Sequence, residues 1–177
     1  MTIKLQLNTI SIAIALSLGT IVSAHAAGSR EAEALDKATI QLVQATQIAE
    51  KQESGKTIKA EFDIEKDKPL WEVKVLSKGG LKEYKIDASS GVVVKVEDEH
   101  IRGKLTNFVT GMNLKDLDGA KTTLVQAIGT AEKKFNGKVV KVEVEHERGN
   151  IQYEIFVRAA DKTEKVKIDA STGQPRS

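Results

Sequence analysis

The spacing of apolar residues along this chain changes from a helical period to a strand period. Between Leu35 and Ala49 they recur every three or four positions, which is the spacing of one helix face. Between Ile58 and Ile64 they alternate with charged residues, and two further alternating segments contain Trp71 and Tyr84. Short polar turns separate these segments, so neighbouring strands must pair antiparallel. The pattern predicts one helix followed by three strands.

The same pattern returns 82 residues later without a gap, so that residues 38–91 match residues 120–173. The Leu-Val-Gln-Ala of residues 42–45 recurs at 124–127, and the Lys-Ile-Asp-Ala-Ser of residues 85–89 recurs at 167–171. A register held over this length predicts a duplicated domain. We therefore predict an α+β fold of two repeated modules, each a helix packed on a three- to four-stranded antiparallel sheet. A module of this size buries little surface alone, so the two halves should pack on each other or on something else.

The N-terminal residues have the pattern of a secretory signal. A basic Lys4 precedes a short apolar run, Ile10 to Val22, and Ala24-His25-Ala26 has the small-x-small form of a cleavage site. We predict a signal peptide at 1–26, a first module at 27–97, a linker at 98–113 and a second module at 114–177. This organisation predicts a periplasmic protein that keeps no stable membrane anchor after cleavage.

Each module ends in a turn of the form Asp-Ala-Ser-Ser/Thr-Gly, at 87–91 and 169–173. The aspartate should accept backbone N–H bonds and the glycine should supply a positive φ. Gly55 and Gly137 follow the helices, where we expect left-handed conformations. Residues 92–96 predict a fourth strand in the first module. The second copy stops soon after its turn, so its edge is expected to be open or covered by the other module.

These features resemble the PepSY family of small secreted modules, which occur in protease propeptides and as stand-alone periplasmic proteins. The resemblance is carried by the helix start at 124–128, the segment 137–143, Tyr153-Glu154-Ile155 and the closing turn, with Trp71-Glu72-Val73 and residues 86–91 in the first copy. It implies a non-catalytic domain that regulates peptidases or senses at the cell surface. It supplies no catalytic residues, and no protease domain follows in this sequence.

The amino-acid composition and the absence of known motifs argue against several classes of function. The chain has 27 Lys and Arg against 25 Asp and Glu, and the two signs are interspersed, which argues against nucleic-acid binding. There is no cysteine, so disulfides cannot contribute to stability. Neither a Gly-x-Ser-x-Gly nor an HExxH motif is present. We predict a protein without catalytic activity and without a cofactor.

Four residues are candidates for binding a protein or peptide partner, with a peptidase as the candidate partner. Trp71 and Tyr153 occupy the same position in the two copies; a core role is the leading interpretation, and an interface anchor is the alternative. Phe108 and Met112 lie at helical spacing in the linker with Ile101 and Leu105. They predict a short helix that covers a module or binds a partner.

A metal site is the main alternative chemistry. His100 follows Asp98-Glu99, and His146 lies between Glu145 and Glu147, which are residue types that bind zinc or copper. Strand neighbours point to opposite faces, however, and His146 matches the inward position of Ile64, so we expect a partly buried structural histidine there. Three functions stay open at this point: a periplasmic protein- or peptide-binding module, a metal- or small-ligand sensor, and a structural module that forms homodimers.

Overall fold

The computed structural model describes residues 22–99, 114–147 and 149–176. The first module consists of α1 (Val22–Lys37), α2 (Leu42–Glu53), β1 (Lys56–Glu65), β2 (Lys68–Ser77), β3 (Gly80–Asp87) and β4 (Val93–Asp98). The second consists of α3 (Leu114–Asp118), α4 (Leu124–Phe135), β5 (Lys138–Glu147), β6 (Asn150–Ala159), β7 (Lys162–Asp169) and β8 (Pro175–Arg176). The predicted α+β fold with two repeated modules is confirmed, and each module contributes four strands.

The two modules share one sheet. Its eight strands lie in the order β4-β3-β2-β1-β5-β6-β7-β8, and every neighbouring pair is antiparallel. The helices pack on one face of this sheet, mainly α2 on β1 and β2 and α4 on β5 and β6. The modules therefore pack together, as their small size requires, and they do so edge to edge.

The junction between β1 and β5 has a local twofold axis. Ala60 pairs with Val142, which is its own equivalent in the repeat. On either side, Lys59 pairs with Glu143 and Glu61 with Lys141, so each lysine lies opposite a glutamate. Two further ion pairs cross the junction on the helix side and are related by the same axis: Lys56 Nζ to Asp118 Oδ1 at 3.3 Å, and Lys138 Nζ to Asp36 Oδ1 at 3.1 Å. The contact has the self-complementary geometry of a twofold dimer interface.

The prediction of a single helix at the start of each module is wrong, because the chain forms two helices there. The break falls at residues 38–41, between α1 and α2. At the break, the Ile40 N–H donates to Ala88 O at 2.9 Å, and Trp71 Nε1 donates to Ile40 O at 2.8 Å. The second module repeats both bonds, since Thr122 N donates to Ala170 O and Tyr153 Oη donates to Thr122 O, each at 2.8 Å. These tertiary bonds replace the intrahelical ones that a continuous helix would make.

The closing turns form as predicted. Asp87 Oδ1 accepts from the Ser89 and Ser90 N–H groups, and Gly91 has φ +73°. In the second module, Asp169 accepts from the corresponding two N–H groups, and Gly173 has φ +72°. The turn residues after each aspartate also bind the helix break through their carbonyl groups. The motif that carries the family resemblance is therefore part of the scaffold.

The glycines after the helices have a different role from the one predicted. The left-handed residues are Ser54, with φ 50°, and Asn136, with φ 49°, one position earlier. A Cβ on Gly55 would lie 2.6 Å from Leu76 O, and one on Gly137 would lie 2.3 Å from Arg158 O. Glycine is required there because the backbone of the next strand passes too close for a side chain.

Candidate functional site

A cleft of about 340 Å³ lies on the helix-covered face, where the two modules meet. One wall comes from α2, the other from α3 and the start of α4, and the floor comes from β1, β5 and β6. Its lining residues are Thr46, Gln47, Glu50, Lys56, Thr57, Leu117, Asp118, Ala120, Thr123, Leu124, Val125, Val144 and Tyr153. We call this feature the intermodule cleft. It combines an apolar interior with polar and charged groups, as ligand sites commonly do.

The twofold axis generates an equivalent position over the first module, and that position is filled. Six of the repeat partners of the cleft residues are buried there: Leu35, Leu42, Phe62, Trp71, Ile128 and Val139. The Phe62 and Trp71 rings pack edge to face there, with centroids 5.1 Å apart. In the cleft, Leu117 and Leu124 are only half-buried.

Three substitutions between the copies account for the open space. Val144 stands where the first module has Phe62, and Tyr153 stands where it has Trp71. The third comes from the opposite helix: Thr46 of α2 lines the cleft, and the twofold axis relates it to Ile128 of α4, which is buried. Each change puts a smaller or more polar side chain at the cleft. The chain has therefore one open and one closed version of the same packing position.

Trp71 and Tyr153 are core residues, and the alternative of exposed interface anchors does not fit their burial. Trp71 is 0 % exposed and Tyr153 is 4 % exposed, and each donates its hydrogen bond to a backbone carbonyl. Burial raises the pKa of Tyr153 to about 12. Tyr153 still contributes to the floor of the cleft, whereas Val125, 42 % exposed, forms part of its wall.

The polar part of the cleft includes one unusual hydroxyl. The Thr57 side chain is buried, and its Oγ1 makes no hydrogen bond. The backbone N–H of Thr57 donates to Glu50 Oε1 at 2.8 Å, and the equivalent Val139 N–H donates to Glu132 Oε1 at 3.3 Å. The backbone contact is thus shared by both modules, while the hydroxyl is specific to the cleft. A buried hydroxyl without a partner destabilises a fold by about 1–3 kcal/mol.

His146 does not have the predicted environment. It is exposed, because it lies beside the β5–β6 turn, whereas α1 covers the corresponding end of β1 and forms the Arg30–Asp67 ion pair there. The carboxylates of Glu145 and Glu147 both accept from Gln152 Nε2, at 2.8 and 2.9 Å. In residues 22–99, 114–147 and 149–176, no three His, Asp or Glu side chains converge on a possible metal position.

The remaining candidates fall outside the described residues. These are His100, Phe108 and Met112, together with most of the predicted linker helix. The start of the predicted linker belongs to the sheet, since β4 extends to Asp98 and the Glu99 N–H donates to Leu81 O. Among the helices that the structure describes, none is long and apolar enough to span a membrane.

Comparison with known proteins agrees with the repeat. The family model described as "Peptidase propeptide and YPEB domain", PepSY, matches residues 39–97 and 121–177. The chain belongs to the PepSY family. Both matched regions include the aromatic position, the closing turn and α2 or α4, so the filled position and the open cleft are built from the same family elements. Comparison with curated proteins found no significant match.

A solved structure that is similar to this chain is that of a "putative lipoprotein" from Clostridium difficile 630. It is 17% identical, and the alignment covers 79% of this chain and 92% of that chain with a TM-score of 0.47.

Proposed function

We propose that this PepSY protein is a non-catalytic periplasmic binding protein that holds apolar side chains of a partner polypeptide in the intermodule cleft. A peptidase is the candidate partner, because the family description is that of a peptidase propeptide domain. The observation that carries the proposal is the difference between two equivalent positions. One is closed by Phe62, Trp71 and Ile128, and the other is left open by Val144, Tyr153 and Thr46.

The chemistry of the cleft suits a polypeptide. Leu117, Leu124 and Val125 provide apolar contact surface, and a volume of about 340 Å³ is at the lower end of the range for ligand pockets. The Lys56–Asp118 ion pair and the Thr57 hydroxyl lie within the same lining and could meet the polar backbone of a bound segment. Burial of one or two apolar side chains with satisfied backbone groups is how short polypeptide segments gain affinity.

The filled position over the first module shows which side chains would close the cleft, and this suggests a test. The double variant Thr46→Ile, Val144→Phe introduces into the cleft the side chains that fill the equivalent position. We expect this variant to bind its partner at least tenfold more weakly, because the space for the partner's side chains is occupied. A native circular dichroism spectrum and a cooperative thermal unfolding transition would show that the variant folds, which separates loss of binding from loss of folding.

The matched control is Thr130→Ile. It makes the same chemical change on a helix and also copies the other module, where Ile48 is the equivalent, but Thr130 does not line the cleft. Partners would be captured from periplasmic extract, identified by mass spectrometry, and titrated against the three proteins by calorimetry. A captured peptidase should also be inhibited at equimolar ratio. Equal affinity of the filled variant and the native protein would exclude the cleft as the binding site.

A further inference from the structure

The edge strand β4 has two exposed valines, a third exposed valine directly precedes it, and the strand repeats a sequence found at the junction of the modules. Val92, Val94 and Val96 are 58, 54 and 50 % exposed. Among the described strands, β4 has a neighbour on one side only. Lys95-Val96-Glu97 has the same form as Lys59-Ala60-Glu61 of β1 and Lys141-Val142-Glu143 of β5. The last two triplets pair with each other across the local twofold axis.

Two charges of β4 lie opposite like charges in the sheet, whereas Asp98 lies opposite Lys82. Lys95 lies opposite Lys85, and Glu97 lies opposite Glu83, so both cross-strand pairs join like charges, which destabilise a sheet. Lys85 is bound by Glu65 at 2.9 Å and Glu72 at 2.7 Å. Lys95 and Glu97 therefore bind each other at 2.9 Å, as Lys59 and Glu61 do at 2.6 Å within β1.

The lysine side chains of the two junction triplets are less exposed than the lysine side chain of the β4 triplet. The side chains of Lys59 and Lys141 are 24 and 31 % exposed, whereas that of Lys95 is 53 % exposed. In the junction each lysine also lies opposite the other strand's glutamate, at 3.8 and 3.7 Å. An antiparallel partner with the same triplet would provide such opposite charges for β4.

The backbone hydrogen-bonding pattern at the free edge of β4 matches the pattern at the edge of β1 that pairs with β5. One row of residues runs across the sheet through the pairs Ala60–Val73, Val73–Tyr84 and Tyr84–Val96. In antiparallel sheets, hydrogen-bonded and non-hydrogen-bonded pairs alternate along such a row. After three pairings, the outer side of Val96 has the same pair type as the side of Ala60 that faces β5.

From these observations we propose that β4 pairs with β4 of a second copy of this chain. The axis passes between the two Val96 residues, and Lys95 of each copy lies opposite Glu97 of the other. The result is a continuous sheet across two molecules, joined as the two modules are joined within one. This interface is separate from the intermodule cleft, and it does not depend on the proposed function.

The absence of cysteine allows a direct test by disulfide formation. Directly opposed residues in an antiparallel pair have Cα atoms about 4.5–5.5 Å apart, within disulfide range. Val96→Cys should therefore form a covalent dimer under mild oxidation. The control is Val94→Cys, which is equally exposed but would lie about 13 Å from its counterpart in this pairing. We expect at least tenfold faster dimer formation at position 96, and equal rates would overturn the proposal.

Charge reversal provides the second test, made in the Val96→Cys background. Lys95→Glu makes the triplet acidic, and Glu97→Lys makes it basic, so each variant alone should cross-link at least tenfold more slowly. Mixing the two should restore cross-linking as a mixed dimer, and so should the double variant Lys95→Glu, Glu97→Lys. Circular dichroism would verify that each variant is folded. Undiminished cross-linking of the single variants, or failure of the mixture to recover, would contradict the predicted register.

The Thr46→Ile, Val144→Phe variant allows the two proposals to be tested independently. It should lose its partner polypeptide and still form the Val96→Cys dimer. If the cleft is not a binding site, the dimer result is unaffected. If β4 does not self-pair, the binding result of the filled variant still stands.

Discussion

The first module closes over its aromatic residue, whereas the second leaves a cleft beside the equivalent residue. Both have the same helix break, the same closing turn and the same hydrogen bond from the aromatic side chain to the break. The difference lies in side-chain volume at a few positions around Trp71 and Tyr153. This contrast separates two kinds of repeated residue. The bonds that hold the backbone are kept in both copies, whereas six of the thirteen cleft-lining positions carry different residues in the two copies.

The two modules also differ at the outer edges of the sheet. The first module ends in the six-residue β4, and the second ends in the two-residue β8, which pairs only Lys167 with Arg176 and Ile168 with Pro175. Position 94 is an exposed valine, and its equivalent, Arg176, is charged. The two modules therefore offer different surfaces: an open cleft at the start of the second, and an apolar edge strand at the end of the first.

The largest expected effect comes from truncating the aromatic residues. Trp71→Ala should lower the free energy of unfolding by about 3–5 kcal/mol, because it leaves a cavity in closed packing. Tyr153→Ala should cost about 1 kcal/mol less, since the space it leaves connects with the open cleft and water can enter it. Urea denaturation of both variants measures the difference.

The conservative variants Trp71→Phe and Tyr153→Phe serve as controls for these truncations. Each removes the hydrogen bond to the helix break while keeping an aromatic ring, and should cost about 1 kcal/mol. If Tyr153→Ala proved as costly as Trp71→Ala, the contrast between a closed and an open position would be wrong.

A smaller effect is expected from exchanging Thr57 and its equivalent, Val139. Thr57→Val removes the unbonded buried hydroxyl and should stabilise the protein by about 1 kcal/mol. Val139→Thr places a hydroxyl in the closed position and should destabilise it by about 1–3 kcal/mol. Thermal and urea unfolding would measure both. Stabilisation by Thr57→Val together with weaker partner binding would indicate that the hydroxyl contacts the partner; a loss of stability would show that it is satisfied in the folded state.

The strands, the hairpins and the duplication could be predicted from the sequence because each has a local cause in the chain. The alternation around Phe62 predicts a strand, the turn at Lys66 and Asp67 predicts a hairpin, and the constant offset predicts two modules. The helix break was missed because Leu35, Ala38 and Leu42 keep helical spacing across it, while the hydrogen bonds that cause it come from distant residues.

The cleft could not be predicted because it depends on which strand edges meet. Thr46 of the first module and Val144 of the second line one space only because β1 pairs with β5. A comparison of the copies does reveal the mismatched pairs Phe62/Val144 and Ile128/Thr46. It does not show that residues from opposite modules act together, since that information lies in the sheet order.

The smallest predicted effect tests a feature that the modules share. Hydrogen bonds from Ser90, through its side chain and backbone, lower the pKa of Asp87, and those from Ser171 lower the pKa of Asp169. A carboxyl group with a lowered pKa in the folded state stabilises the fold above its unfolded pKa of about 3.9, and this contribution is lost as the pH falls through the folded value. The free energy of unfolding should therefore decrease below about pH 4.

Asp87→Asn and Asp169→Asn should each reduce stability at pH 7 by up to about 1 kcal/mol, because a neutral amide accepts the backbone N–H bonds more weakly than a carboxylate. Each variant should also lose less stability on acidification than the native protein, since one titrating group is gone. Urea unfolding at a series of pH values would measure both effects. The two variants should behave alike because each aspartate accepts the same two backbone N–H bonds. The additional ion pair of Asp169 with Arg176, at 3.4 Å, is half-exposed on the arginine side and should contribute little. A clear inequality would show that the modules differ in their scaffold as well as in the cleft, and the cleft could then no longer be read as a local change on an otherwise common frame.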